Sequence, residues 1–137
     1  MYAYTQRTPG DVPNAVRFLL LATKDLQETL TQWSVGAATD TQVSDAYVRV
    51  GTDFNLAVQA FAHHNIDLSD IHPVPGELRV ALERCLSEDP TPDTLARHIP
   101  AVRTVIYRLL QGLQRRQGAW EAQRRQAGWR GTSAGPA

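Results

Sequence analysis

Several things are scarce in this 137-residue chain, and each scarcity narrows the reading. There is one cysteine, Cys85, so no internal disulfide is available and the sequence fits a reducing compartment. On an apolar helical face, that thiol reads as buried rather than as a nucleophile. The longest apolar run, Phe18 to Ala22, is far too short to span a bilayer, and no signal-peptide pattern opens the chain. A cytoplasmic protein without a transmembrane segment is the expectation. The nine glycines are scattered and form no phosphate-cradling loop. No serine or threonine sits in a nucleophile-elbow sequence. Alternation of strand type is missing, as is any internal repeat.

Net charge is absent too, but only in total. Residues 103–130 hold seven arginines and one acid, Glu121, while the remainder holds seven basic and thirteen acidic residues. A basic C-terminal end of +6 therefore follows a body of −6. Such asymmetry implies a contact within the chain, a contact with a partner, or a lead into a linker.

What is present is helical periodicity. The length suits one domain with a single core, and 42% apolar with 20% charged residues is ordinary globular composition. From Asn14 to Trp33, Leu19, Ala22, Leu26, Leu30 and Trp33 recur at steps of three and four, and Phe18, Leu20 and Leu21 widen the stripe. A stripe that wide predicts packing against two neighbours. Gly36 is a plausible stop. After Ala38–Thr41, where Asp40 or Thr41 can cap, a second helix runs from Gln42 to His63. Its face is Val43, Ala46, Tyr47, Val50, Phe54, Ala57, Val58 and Phe61. Gly51, in mid-helix, reads as a notch for a neighbouring helix.

Asn65 suits the left-handed turn that ends a helix. Residues 66–75 then read as an ordered loop pinned by Ile66, Leu68 and Ile71. Pro75 opens a third helix with Leu78, Ala81, Leu82, Cys85 and Leu86 inward. Thr91-Pro92-Asp93 predicts a short fourth helix, and Pro100 starts or kinks a fifth whose face is Val102, Val105, Ile106, Leu109, Leu110 and Leu113. The expected architecture is all-α, a compact bundle of four to five helices spanning 14–120. A flexible tail (1–13) and a disordered basic tail or linker (121–137) flank it, and the Gly/Ser/Ala/Pro ending suggests a fragment of a longer protein.

The chemical candidates are sparse. His63, His64, His72 and His98 lack the spacing that metal ligation needs, and adjacent histidines point to different faces of a helix, so no metal is expected. Asp45 and Asp53 lie roughly 12 Å apart along a helix, too far for a paired-carboxylate site, and read as solvated charges or partners of Arg49. No catalytic residue and no cofactor are expected. Arg115, Arg116, Arg124 and Arg125 with Trp120 and Trp129 form a cluster that solvates or meets an anionic partner. The candidate partner-binding residues are Asp67, Asp70 and His72 in the loop, and Arg103, Arg108, Arg115 and Arg116 beyond it; the docking surface is expected to be the Asp67–Pro75 loop or an exposed helix groove. Self-association is open as well, because the fifth helix carries an apolar stripe that exceeds one small core and Trp120 continues it.

The ordered stretches also follow one another in a familiar series. Leu26–Trp33 precedes Val43-Ser44-Asp45-Ala46-Tyr47-Val48-Arg49-Val50-Gly51-Thr52-Asp53-Phe54-Asn55. Next come Asp67-Leu68-Ser69-Asp70, Val74-Pro75-Gly76-Glu77-Leu78-Arg79 and Leu86-Ser87-Glu88. Ile99-Pro100-Ala101-Val102-Arg103 and Leu109-Leu110-Gln111-Gly112-Leu113 close the series. Over Val16 to Gln117 this order resembles the N-terminal domain of the fungal actin-interacting protein 3 family, the bud-site-selection polarity proteins. The resemblance implies a non-catalytic scaffold or localisation module of a polarity factor at the cell cortex, at sites of growth or division. Its partners would be formins, other polarisome components and microtubule-end proteins. The family's actin- and formin-binding parts lie in a C-terminal coiled-coil half that nothing here resembles. On this reading no nucleic acid is expected. The rival reading is a nucleic-acid or anionic-surface binder working through the arginine-rich end.

Overall fold

The computed structural model describes residues 10–134, with side chains to residue 127. Four α-helices follow one another: α1 (Val12–Ser34), α2 (Asp40–Ala62), α3 (Val74–Leu86) and α4 (Pro92–Ala134). A single 3-10 turn, Ser69–Ile71, interrupts the loop between α2 and α3. α1 packs along α2 and against α4, and α4 packs along α3, whereas α2 touches α3 only lightly. The two-sided contact of α1 is what its wide stripe required. Leu20 and Leu21, however, are exposed and lie outside that stripe.

Three of the helices, α1, α2 and α4, begin where a side chain satisfies a first free N–H group, whereas α3 follows Pro73 with no side-chain cap. In α1 the Asp11 carboxylate accepts from the Asn14 N–H at 3.2 Å, with Pro13 in the first turn. The first helix thus starts at Val12 rather than Asn14, and Val12 is fully buried; residues 1–9 of the expected tail lie outside the described residues. In α2 the cap is Thr39, not Asp40 or Thr41. Its hydroxyl accepts from the Gln42 N–H at 3.1 Å while the Gln42 side chain accepts from the Thr39 N–H at 2.8 Å, a reciprocal capping box. Asp40 instead accepts from the Trp33 indole N–H at 2.6 Å, tying the end of α1 to the start of α2.

Gly36 adopts φ 78° at the end of α1, and Asn65 adopts φ 61° after α2. In both places paired i→i−3 and i→i−5 bonds close the helix: Gly36 to Trp33 with Ala37 to Gln32, and Asn65 to Ala62 with Ile66 to Phe61.

The expected fourth and fifth helices are one helix. Thr91 caps α4, accepting from the Thr94 N–H at 3.1 Å, and the helix continues through Pro100. A proline there deletes one backbone bond and costs about 3 kcal/mol locally. Its ring sits on the solvent side, while Leu95 and Ile99 before it and Val102 and Val105 after it are held by the core. Packing on both flanks outweighs the local break. The backbone stays helical past Trp120, the boundary set by the pattern, as far as Ala134; residues 135–137 lie outside the described residues.

The core is continuous across all four helices, with Trp33, Phe61, Leu19, Leu26, Leu30, Leu78, Leu109 and Leu113 its largest fully buried members. Cys85 is fully buried, and that burial raises its thiol pKa.

Candidate partner-binding surface

The loop between α2 and α3 is held by apolar residues below and by charge above. Leu68 and Ile71 are buried, as their spacing implied, and Ile66 is half-buried. Ile71 presses on α4 at Gly112, where an added Cβ would come within 2.5 Å of Ile71 Cγ2. The notch placed at Gly51 is therefore at Gly112. Nothing approaches a Cβ at Gly51 within 4 Å. A periodic pattern in one helix cannot say which glycine a distant loop will touch.

One turn beyond Gly112, Arg116 closes the latch. Its Nη2 pairs with Asp70 Oδ1 at 2.6 Å and its Nε donates to the Asp67 carbonyl at 2.9 Å. One planar guanidinium therefore fixes both a side chain and a backbone group of the loop. The Ser69 hydroxyl donates to the Asp67 carboxylate, and this bond holds the Asp67 carboxyl below its usual range. Two turns back along α4, Arg108 pairs with Glu77 in the first turn of α3. His72 is exposed, with its ring edge-on to Phe54 at 6.2 Å.

The structure thus brings Asp67, Asp70, His72 and Arg116 together on one seam, with Arg108 further along it. Arg103 and Arg115 stand apart, exposed on α4. Asp45 is exposed, but Asp53 is buried, and Arg49 lies 3.9 Å from Asp53 rather than bridging both acids.

Two further clusters are tertiary in origin. At the α3–α4 corner Glu88 accepts from Arg97 at 2.7 Å and pairs with His98 at 2.6 Å. The Arg97 bond first, and the His98 bond second, pull the Glu88 carboxyl down to about 2. At the opposite end His64 Nε2 lies 2.8 Å from the Gly10 carbonyl, and its ring meets the Trp120 ring edge-on at 6.0 Å. Gln123 donates to the His64 carbonyl at 3.2 Å, and the Arg124 guanidinium lies 5.4 Å from the Trp120 ring centre. Trp120 is therefore covered within its own chain and is not the surplus stripe the pattern suggested. Nor do His63 and His64 diverge: at the end of α2 their rings sit edge to face at 5.3 Å.

An exposed helix groove is expected from the sequence, without residues assigned to it. The splay of α2 from α3 opens a cleft of about 230 Å³ lined by Val43, Ser44, Tyr47, Val48, Arg79, Leu82, Glu83 and Leu86. Tyr47 spans its floor, donating to the Pro75 carbonyl at 2.8 Å. Burial raises the Tyr47 phenol pKa, with Arg79 opposing and Glu83 assisting. The available signal was Val48, an apolar residue one step outside the core stripe. Among the described residues no three His, Cys, Asp or Glu side chains converge as a metal site, and no helix is long and apolar enough to cross a membrane.

Side chains that latch a loop, brace a corner and cover a helix end define an all-α bundle whose charged groups are spent mainly on holding surfaces in shape. The family model of the Aip3p/Bud6 N-terminal domain matches residues 13–121, which take in α1 to α3 and α4 to just past Trp120. The chain belongs to this family, one of polarity-related, actin-interacting proteins. Nothing matches it among curated proteins or among solved structures.

Proposed function

We propose that this chain is a non-catalytic protein-binding module, the localisation or scaffold part of a cell-polarity factor that works with formins, actin and cortical microtubules. The observation that carries this reading is the family match across the bundle, residues 13–121. The geometry supports it. The ion pairs from Arg116 to Asp70 and from Arg108 to Glu77 give the loop–α4 seam a fixed shape, which lowers the ordering cost a partner must meet. The proposed docking surface is that seam, bordered by Asp67, Asp70, His72, Arg108 and Arg116, with exposed Arg103 beside it. The site of action is the cytoplasmic face of the cell cortex.

The test uses the whole chain, because ending it at residue 117 would remove buried Trp120 and the Gln123–His64 bond. The immobilised chain is presented with a purified formin, a polarisome protein and a microtubule-end-binding protein. Binding of one of them, reduced by Arg103→Glu and His72→Ala with melting unchanged, supports the reading. Failure of all three to bind overturns it. The second reading, an anionic-surface or nucleic-acid binder, rests on exposed Arg115, Arg124 and Arg125. It requires binding to duplex DNA or acidic vesicles that falls steeply with added salt.

A further inference from the structure

Two glycines on α4 behave differently. Gly112 is buried, and Ile71 occupies the space a Cβ would need. Six residues on, Gly118 is exposed, and a Cβ there meets nothing within 4 Å. A mid-helix glycine costs about 1 kcal/mol relative to alanine, and nothing in the described chain uses the space it leaves. Gly118 follows Leu109 by nine residues, 900° of helical rotation at 100° per residue, and so faces directly away from the core. One turn before it stands Arg115 and one turn after it Glu121, both exposed. Among the described residues neither has an opposite charge within 4 Å, a state they share with Arg103, Arg124 and Arg125, whereas Arg97, Arg108 and Arg116 on the same helix are paired. Glu121 is also the only carboxylate in α4 after Asp93.

We propose that two copies of this chain associate by crossing their α4 helices, antiparallel, at Gly118. A two-fold axis through an antiparallel crossing at residue 118 sets each position as far before it level with the position as far after it on the other copy. Arg115 then meets Glu121 of the other copy, twice, and Gln111 meets Arg125 of the other copy, twice. Across the axis each Arg115 and each Glu121 thus gains the opposite charge that neither has within 4 Å in its own chain, although Arg124 and Arg125 lie one turn beyond Glu121 on the same helix. The glycines let the backbones approach closely, and the bundles lie on opposite outer sides of the crossing. A nucleic acid or acidic membrane fits this face less well, because Glu121 and the neutral side chains of Gln111 and Gln114 break the positive row. A single helix crossing buries much less than the roughly 1,200 Å² of stable complexes, so the dimer is weak and concentration-dependent.

Sedimentation of the full 137-residue chain, at low and at high salt, tests this. The expected result is a monomer–dimer equilibrium that weakens with salt. Arg115→Glu and Glu121→Arg each weaken it by roughly tenfold or more, and the double charge swap restores it. Gly118→Leu abolishes it. All three positions are exposed, so the thermal melt of the dilute monomer should stay near that of the parent or rise. A chain monomeric up to about 1 mM overturns the proposal. So does a dimer indifferent to Gly118→Leu, a double swap that fails to restore, or a monomer that instead binds a duplex DNA oligonucleotide or phosphatidylserine vesicles through Arg115.

Discussion

Arg116 on α4 and Asp70 in the α2–α3 loop are 46 residues apart in sequence and 2.6 Å apart in space. Because Nε of the same guanidinium also holds the Asp67 carbonyl, the loop is tied to α4 at two points by one side chain.

Arg116→Ala should therefore loosen the loop more than it destabilises the bundle. The pair is partly exposed, so the expected cost is about 1–2 kcal/mol, with faster amide exchange confined to residues near 67–72. Arg116→Lys should recover only part of this, because an ammonium lacks the planar pair of donors. Urea denaturation with hydrogen exchange measures both, and unchanged exchange in the loop would contradict the latch.

Gly112→Ala gains helix propensity worth about 1 kcal/mol but drives a Cβ into Ile71. We expect the clash to win by about 1–2 kcal/mol. In an Ile71→Ala background the same change should become neutral or stabilising. The two-mutation cycle reads this coupling directly, and simple additivity would show that the two residues do not touch.

Phe54, on α2, is 4% exposed, with its ring edge-on to that of the loop residue His72. Phe54→Ala should cost about 3–5 kcal/mol as a core deletion. A denaturation midpoint equal to the parent's would place Phe54 at a surface instead.

The Glu88 cluster makes stability depend on acid. Its carboxyl is held at about 2 in the folded chain against an ordinary 4.5, so the folded state binds the proton less well than the unfolded state. The contribution is fully present above 4.5 and is lost as the pH falls through about 2. Glu88→Gln should lower the melting temperature at neutral pH and flatten its fall across that window, so that the two chains converge near pH 2. A slope as steep as the parent's would assign the acid sensitivity to other carboxylates.

Cys85 is fully buried with a raised thiol pKa, so a maleimide should label it only as fast as the chain unfolds. Rapid labelling under native conditions would mean that the α3 face opens locally.

Local patterning was enough for the all-α class and most of the core. Apolar spacing of three and four, two left-handed stops at Gly36 and Asn65, and the Thr91-Pro92-Asp93 start are local signals, and local signals survive without knowledge of neighbours. The loop from 66 to 75 was legible for the same reason, since Leu68 and Ile71 are apolar among turn residues. Tertiary structure decided the rest. Pro100 stays within a helix because packing on both sides outweighs one missing bond. Gly112 rather than Gly51 is the point of close approach, because that depends on where Ile71 arrives. Arg108 and Arg116 are latches, while Arg103 and Arg115 remain exposed, although all four look alike in sequence. Which arginine meets a carboxylate is set by contacts across dozens of residues, and periodicity within one helix carries no record of them.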